Sequence, residues 1–452
     1  MLKGMSVAAT TLGCKVNQAE TDSMLDMLKA AGANIVEFDE KADIYIVNTC
    51  SVTNIADKKS RQMLHRARKM NPDGIVIAAG CYVQSAREIL EQDEAIDIVI
   101  SNNKKKSITE IVNDYINVRN NEKNAPGKDH EAMEYFVDIS RETEYEEMGG
   151  HVPVGHTRAY VKIQDGCNQF CSYCIIPYVR GRIRSRSQEA ILAEVSELAE
   201  AGIKEVVLTG IHISSYGKDK NNEGALIELI EAISKIKGIK RIRLGSLEPG
   251  IITEEFVERI SSNSKVCPHF HLSLQSGCDS VLKRMNRKYT CKQYFEKCDM
   301  LRKAYKSPAL TTDVIVGFPG ETEEEFAETV RYLTELNLYE MHIFKYSLRK
   351  GTVAAAMKEQ VAPEIKNERS DVLLKLAHDN KTAYEAQFEG CELEVLVEEV
   401  VKKNNKTYLR GHTERYMDIL IDVGDISMPE SFVNSFVYVT YTQNGGNLPL
   451  LL

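Results

Sequence analysis

Three cysteines, Cys167, Cys171 and Cys174, sit in one short stretch, Gly166-Cys167-Asn168-Gln169-Phe170-Cys171-Ser172-Tyr173-Cys174, at C-x3-C-x2-C spacing. A loop this tight can aim three thiolates at one inorganic centre, the thiolate being the metal-binding form of cysteine. The next cysteine, Cys267, lies far downstream. Structural zinc is normally closed by four ligands, often as two C-x2-4-C hooks, and electron-carrying iron–sulfur clusters use four cysteines. Three thiolates leave one coordination position open, which is what a centre needs if it must bind and cleave a substrate. A zinc knuckle and a chance grouping of buried cysteines stand as the alternative readings.

A second set is dispersed. Cys14 follows Thr11-Leu12-Gly13, Cys50 follows Val47-Asn48-Thr49, and Cys81 follows Ala78-Ala79-Gly80. Each ends an apolar run with small residues beside it. If those runs are parallel strands, all three cysteines lie at the carboxyl ends, where open α/β sheets form their ligand crevice. One such cysteine reads as core; three at equivalent positions read as a second three-cysteine site. Cys267, Cys278, Cys291, Cys298 and Cys391 have no partners at ligand spacing and read as structural.

The elements that must hold these residues follow from periodicity. Residues 6–10, 44–47, 75–79 and 96–100 read as strands and 18–30 and 55–70 as helices, an alternation expected of a doubly wound parallel sheet. Residues 126–152 are acidic (Glu131, Glu134, Glu142, Glu144, Glu146, Glu147) and read as a linker or a poorly ordered connection between a domain at 1–125 and one at 153–380. Strands at 158–164, 205–209, 241–246, 269–275, 312–317 and 342–346, with helices at 189–201 and 323–336, suggest a partial (β/α)6 barrel. Its chemistry belongs at the strand carboxyl ends, and the triple-cysteine loop follows its first strand. Alternation at 393–397, 416–423 and 436–441 suggests a small all-β domain over 381–443, with a frayed tail at 444–452.

The bulk numbers narrow the class. The chain has 452 residues, 43% hydrophobic and 27% charged, as in ordinary globular proteins. No apolar run approaches the roughly 20 residues of a membrane span, and the N-terminus lacks the apolar core of a secretory signal. Eleven cysteines then fit metal binding in a reducing, cytoplasmic setting better than disulfides. A net charge of −9 argues against wholesale nucleic-acid binding, yet basic patches stand at 58–69, 180–186 and 283–288. Each such patch is equally consistent with a solvated helix face.

The triple-cysteine loop, with Tyr173 just before its last cysteine, resembles that of the radical S-adenosylmethionine (SAM) enzymes. Over nearly its whole length the chain resembles the methylthiotransferases among them. The resemblance rests on residues 11–18, 47–50 and 79–81, the cysteine loop, Arg180-Gly181-Arg182 with Ser185-Arg186, and Leu274-Gln275-Ser276-Gly277. It continues through residues 312–321 and 346–352. It implies an N-terminal cluster domain, a radical-SAM barrel and a TRAM domain, and two [4Fe-4S] clusters. One cluster is expected on Cys167, Cys171 and Cys174, its open iron holding SAM, and the other on Cys14, Cys50 and Cys81, presenting a sulfur. The implied reaction replaces the C2–H of an adenosine in tRNA with a methylthio group, with an electron donor of reductase or flavodoxin type. Tyr173 is expected against the SAM adenine, and Gly210, Ser273, Gln275 and Asp313 at strand ends where SAM lies. Arg186 is expected on the SAM carboxylate or facing RNA.

Residues 13–18, Gly-Cys-Lys-Val-Asn-Gln, resemble the branch acting on N6-threonylcarbamoyladenosine at tRNA position 37. Sister branches act on isopentenyl-adenosine or on a ribosomal-protein aspartate. Lys15, beside Cys14, is expected either to sense a carboxylate on the substrate or to contact only a phosphate or solvent. A non-enzymatic RNA-binding iron–sulfur sensor is the rival of another class, and a cobalamin-dependent radical enzyme lacks its D-x-H-x-x-G signature here. The C-terminal module is acidic (Glu392, Glu394, Glu398, Glu399 against Lys402, Lys403, Lys406). Phosphate contacts, which dominate nucleic-acid affinity, are therefore expected from the basic helix after Cys50 and the arginines after Cys174.

Overall fold

The computed structural model describes residues 2–122, 133–149, 157–403, 406–424, 428–443 and 445–447. Its first layer is a wholly parallel six-stranded sheet: β1 (Ser6–Thr11), β2 (Asn34–Val36), β3 (Ile44–Thr49), β4 (Ile75–Gly80), β5 (Ile98–Ile100) and β6 (Met133–Tyr135). The strand order is β2-β1-β3-β4-β5-β6. Every residue of β3 and β4 is buried, as expected of parallel strands covered on both faces. Period-two alternation divides them. Val7, Ile46 and Ile77 pack with Met24 and Leu28 of helix α1 (Lys15–Ala30). Ala8, Tyr45, Val47 and Ala78 pack with Leu64 and Ala67 of helix α2 (Asn54–Met70) on the other face. The order reverses between β1 and β3, so the ligand crevice of this doubly wound sheet opens where Cys14 and Cys50 leave their strands.

Part of the expected linker is structure. β6 pairs in register with β5 (Ile98↔Met133, Ile100↔Tyr135). Beyond it Tyr145 donates to the carbonyl of Lys162 (3.0 Å) and Glu146 accepts from the backbone N–H of Lys106 (2.9 Å). Acidic composition concealed a strap whose charges are spent on specific partners. Residues 126–132 and 150–152 of the expected linker lie outside the described residues.

The central unit is the expected partial barrel. Its strands are β7 (Arg158–Asp165), β8 (Arg184–Ser185), β9 (Glu205–Gly210), β10 (Arg241–Leu244), β11 (His269–His271), β12 (Ala309–Val316) and β13 (Glu340–Lys345). β7-β9-β10 and β11-β12-β13 are parallel ladders, joined through the bridges Ile242↔Val266 and Leu247↔Leu272. The short antiparallel β8 flanks β7. Val161, Ile163, Val206, Leu208, Ile242, Leu244, Leu272 and Val314 pack outward into the largest core. Strand alternation therefore turns Tyr160, Lys162, Thr209, Arg243, His271, Asp313 and His342 toward the lumen.

The last strands, β14 (Glu392–Lys403), β15 (Lys406–Thr413), β16 (Asp418–Asp422), β17 (Phe436–Thr442) and β18 (Gly445–Asn447), close a barrel in the order β14-β15-β16-β18-β17. Gly445–Asn447 falls in the expected tail but completes that closure by pairing with β16 and β17; the remainder of the tail lies outside the described residues. Helix Pro363–Ala386 runs across the expected boundary at 380/381, and its Tyr384 packs on Tyr339 with ring centroids 4.4 Å apart. Arg241 and Arg243 donate to the carbonyls of Glu394, His412, Thr413 and Glu414, seating the small barrel against the starts of β7, β9 and β10. Among the described residues no helix is long and apolar enough to cross a membrane.

Candidate functional site

The loop carrying Cys167, Cys171 and Cys174 leaves the carboxyl end of β7 and is pinned from both sides. Cys167 N–H donates to the Gly181 carbonyl (3.0 Å) and Cys174 N–H to the Cys171 carbonyl (3.0 Å). Ser172 donates its hydroxyl to the Arg284 carbonyl (2.7 Å), and Asn286 its amide to the Phe170 carbonyl (2.9 Å). Burial pushes the Cys167 and Cys174 thiols up to about 11 and about 12, so these sulfurs become thiolates only when a cation replaces the proton. Arg287 donates to Cys171 Sγ at 3.2 Å, and the Gln169 N–H faces Cys167 Sγ at 3.5 Å. Three sulfurs with outer-shell donors and no fourth cysteine in the loop fit a cluster with one open iron.

The second cysteine set lies where the first sheet reverses. The register pair Thr49↔Gly80 brings Cys50 and Cys81, each the next residue, off adjacent strands. Gly13 (φ +104°) and Gly80 (φ +98°) hold left-handed backbone that favours glycine. A Cβ on Gly13 would stand 2.7 Å from Cys50 Sγ, and one on Gly80 2.5 Å from Asn48 Oδ1. Cys14 is exposed to the crevice whereas Cys50 and Cys81 are buried. The Cys50 thiol is pushed up to about 11 by burial, reinforced by the neighbouring Cys81 and Cys14. Arg180 Nε donates to Cys81 Sγ at 3.2 Å.

Arg180 belongs to a buried charge network that joins the two units. Its guanidinium contacts Glu20 Oε1 and Oε2, Asp165 (3.1 Å) and Asn17 Oδ1 (2.5 Å). Glu20 also pairs with Lys105 and with Lys162 (2.7 Å), and Arg184 lies 3.8 Å from Asp165. Burial by itself would raise the Glu20 and Asp165 carboxyls. Arg180 and Lys162, joined at Glu20 by Lys105 and at Asp165 by Arg184, instead hold both well below the usual carboxylate range. Four cations thus face Glu20, Asp165 and Glu146, and burial raises the Glu146 carboxyl. Buried charge needs compensation, and the positive excess beside Cys81 suits an anionic three-thiolate cluster.

The remaining expected residues divide. Gly210 ends β9 as anticipated. Ser273 and Gln275 lie past the end of β11, where Gln275 bridges Val314 with φ +75°. Asp313 is not at a strand end. It sits within β12, opposite His342 in register, because β12 runs on to Val316. Tyr173 packs with Ile315, Phe318 and Tyr346 at the barrel mouth. Arg186 is buried along the crevice wall, and Glu147 (2.5 and 2.8 Å) and Glu194 take its guanidinium, which leaves no free edge for a ligand carboxylate. The expectation that the arginines after Cys174 supply phosphate contacts is likewise corrected. Arg180, Arg184 and Arg186 are buried in ion pairs, whereas Arg182 is exposed and stacks on Phe170 (4.6 Å). In α2, by contrast, Lys58, Lys59, Arg61, Arg66 and Lys69 are exposed.

Two site residues were missed in the sequence. Arg287 stood inside the 283–288 basic patch, which read equally as a solvated helix face. Arg349 donates to Asn54 and Asp57 (2.7 Å each) and to Ser51 (2.8 Å), clamping the loop after Cys50 to the barrel. Only its inclusion in the family-like run 346–352 marked it.

A crevice of about 640 Å³ opens beside Cys14, lined by Lys15, Gln18, Tyr145, Tyr160 and Lys162. Lys15 is exposed to it, with Nζ 5.8 Å from the centroids of both Tyr160 and Tyr416. Desolvation by the crevice walls, reinforced by the like charges of Arg243 and Arg158 and opposed by Glu205, lowers the pKa of its ammonium from the ordinary value. Among the described residues Lys15 has no hydrogen-bonded or ion-paired acid, whereas Arg158, Lys162, Arg241 and Arg243 all do.

Residues 161–333 match the radical SAM superfamily and residues 6–101 the family described as uncharacterized protein family UPF0004. The chain is 39% identical to the threonylcarbamoyladenosine tRNA methylthiotransferase MtaB of Bacillus subtilis (strain 168), covering 92% of this chain and 90% of that protein. It is 35% identical to the tRNA-2-methylthio-N(6)-dimethylallyladenosine synthase of Thermoanaerobacter pseudethanolicus, over 96% and 90%. Among solved structures, the radical SAM methyltransferase TsrM of Kitasatospora setae, with cobalamin and a [4Fe-4S] cluster bound, superposes with TM-score 0.57. It does so at 15% identity over 78% of this chain and 77% of that one, a likeness of fold.

Proposed function

The chain belongs to the radical-SAM tRNA methylthiotransferases, enzymes that use SAM and [4Fe-4S] chemistry, and from that premise we propose that it methylthiolates C2 of N6-threonylcarbamoyladenosine at position 37 of tRNA. In this reading Cys167, Cys171 and Cys174 hold one [4Fe-4S] cluster and Cys14, Cys50 and Cys81 a second. When bound, the first cluster and SAM supply the radical that attacks an unactivated C–H, and the second supplies the sulfur; no side-chain acid or base could do either.

The protein's part is orientation. Arg287 and the Gln169 N–H aim hydrogen bonds at the sulfurs of the barrel loop, and Arg180 does so at Cys81. Gly210, Ser273 and Gln275 leave the carboxyl ends of the strands open for SAM, with Tyr173 as one wall. Arg349 and the Glu20 network fix the first sheet over the barrel, so the two cysteine sets face one lumen. The exposed cations of α2 offer phosphate contacts to tRNA. A one-electron donor of reductase or flavodoxin type completes the cycle in the reducing cytoplasm, where six thiolates persist.

One observation supports the choice of substrate: among the described residues Lys15 is a lumen cation with no hydrogen-bonded or ion-paired acid. Threonylcarbamoyl ends in a carboxylate that would pair with it, whereas an isopentenyl group would bury it uncompensated. The test is competition between two anticodon stem-loops, one carrying threonylcarbamoyl- and one isopentenyl-adenosine at position 37, with the anaerobically reconstituted enzyme. Product is expected only on the first, with kcat/KM lowered about ten- to hundredfold in Lys15→Ala, the worth of one charged hydrogen bond. Preference for the isopentenyl form would overturn the substrate assignment and leave the family unchanged.

A further inference from the structure

His271, Asp313 and His342 project from three adjacent strands into the lumen, with one ligand atom of each within 4.8 Å of the others. The His271 and His342 rings stack at 5.8 Å and 22°. Thr311 Oγ1 holds His271 Nδ1 at 3.0 Å. The opposite nitrogen, Nε2, is buried and has no hydrogen-bond partner among the described residues; Asp313 Oδ2 stands 3.4 Å away but is not aligned to bond it. A buried ring nitrogen without an aligned partner, a carboxylate and an exposed histidine therefore converge on one another. Native interiors rarely leave such groups unpaired. Lys15 reaches the same part of the lumen: the Tyr416 ring lies 5.8 Å from Lys15 Nζ and 5.3 Å from the ring of His269, at the start of β11.

We propose that His271, Asp313 and His342 are the second recognition pole for the N6 substituent, reading its hydroxyl and ureido groups while Lys15 takes its carboxylate. This rests on the substrate reading above. The chemistry is complementary. A threonylcarbamoyl arm offers an O–H and N–H groups as donors and a carbonyl as acceptor. Asp313 accepts from the donors, His342 donates to the acceptor, and His271 Nε2 bonds whichever neighbour its tautomer requires. An isopentenyl arm has neither donors nor acceptors and would leave all three groups desolvated. A site built to bond a polar substrate rejects its apolar analogue far more strongly than a hydrophobic pocket can.

The experiment measures kcat and KM of the reconstituted holoenzyme on the same two stem-loops for wild type, His342→Ala, His342→Gln and Asp313→Asn, with iron content as the control for folding. The expected result is a KM for the threonylcarbamoyl stem-loop raised about tenfold or more in His342→Ala and Asp313→Asn. Preference over the isopentenyl form should fall by a similar factor, and His342→Gln, which keeps an N–H donor, should recover most of the loss. Wild-type turnover with KM and preference unchanged in both variants overturns this inference alone. No wild-type turnover of the threonylcarbamoyl stem-loop overturns it together with the substrate reading. A stoichiometric divalent ion in the wild type, absent from His342→Ala by elemental analysis, would make the cluster a metal centre and overturn it as well.

Discussion

Glu20→Gln is the most informative single perturbation of how the two halves are joined. Glu20 is buried on α1 and accepts from Arg180, Lys105 and Lys162 together. Glutamine keeps the shape and removes the charge. The buried cations Arg180, Lys105, Lys162 and Arg184 would then be left with Asp165 and a Glu146 whose carboxyl is already raised by burial. Removing one member of a buried ion pair costs about 3–5 kcal/mol. For a sheet domain of roughly 120 residues each kcal/mol moves the midpoint by about 3–5 °C, so the first transition should fall by about 10–20 °C. The assay is thermal unfolding by circular dichroism of anaerobic apo-protein at one scan rate, since irreversible unfolding is rate-dependent, followed by iron analysis after reconstitution. Arg180 also loses the partner that aims its Nε at Cys81, so iron at the first sheet should fall while the barrel keeps its own. A midpoint within about 2 °C of wild type, with full iron, would refute the claim that this network carries the interface.

Glu20 and Asp165 have carboxyls held below the ordinary range. Their contribution is thus complete above the unfolded carboxylate pKa of about 4 and is lost as pH falls through the lower folded value. The stability gap between wild-type and Glu20→Gln apo-protein should accordingly be full near pH 7 and narrow only below about pH 4 in acid titrations. Gly13→Ala puts a Cβ 2.7 Å from Cys50 Sγ at φ +104°, a strain of about 1–3 kcal/mol. It should cost roughly half the iron by elemental analysis, and wild-type iron content would show that the loop can give way. Reconstituted wild type should carry about eight irons on two clusters, and zinc without iron would rule out the cluster reading. Replacing Cys167, Cys171 and Cys174 by alanine should abolish SAM cleavage in a deoxyadenosine assay. The Cys14→Ala, Cys50→Ala, Cys81→Ala variant should still cleave SAM yet form no methylthiolated RNA by mass spectrometry; normal product from it would make those cysteines structural.

Much of the architecture was legible because fully buried parallel strands must be apolar along their whole length. Runs such as 44–47 and 75–79 therefore announce themselves, and the cysteines stand one to three residues beyond their strands. β6 was not legible. Met133–Tyr135 is a three-residue edge strand with a glutamate at its centre, and only pairing with Ile98–Ile100 makes it a strand. β18 was missed for the same reason: Gly445–Asn447 has no strand pattern of its own and is ordered by barrel closure.

Local spacing by itself determined that three thiolates at 167–174 could share one centre, that three more could gather at the ends of a parallel sheet, and which family the chain resembles. What a charged residue does was decided only by tertiary structure. Arg180, Arg184 and Arg186 look like a phosphate-binding run, yet their acids are Glu20, Asp165, Glu147 and Glu194, most of them distant along the chain. Arg287 sits within a basic patch and proves to face Cys171, while Lys15, one lysine among many, is left in the lumen with no ion-paired acid among the described residues. The physical reason is that a charge acquires its role from the dielectric and the partners around it. Sequence spacing reports neither once the chain has folded back on itself.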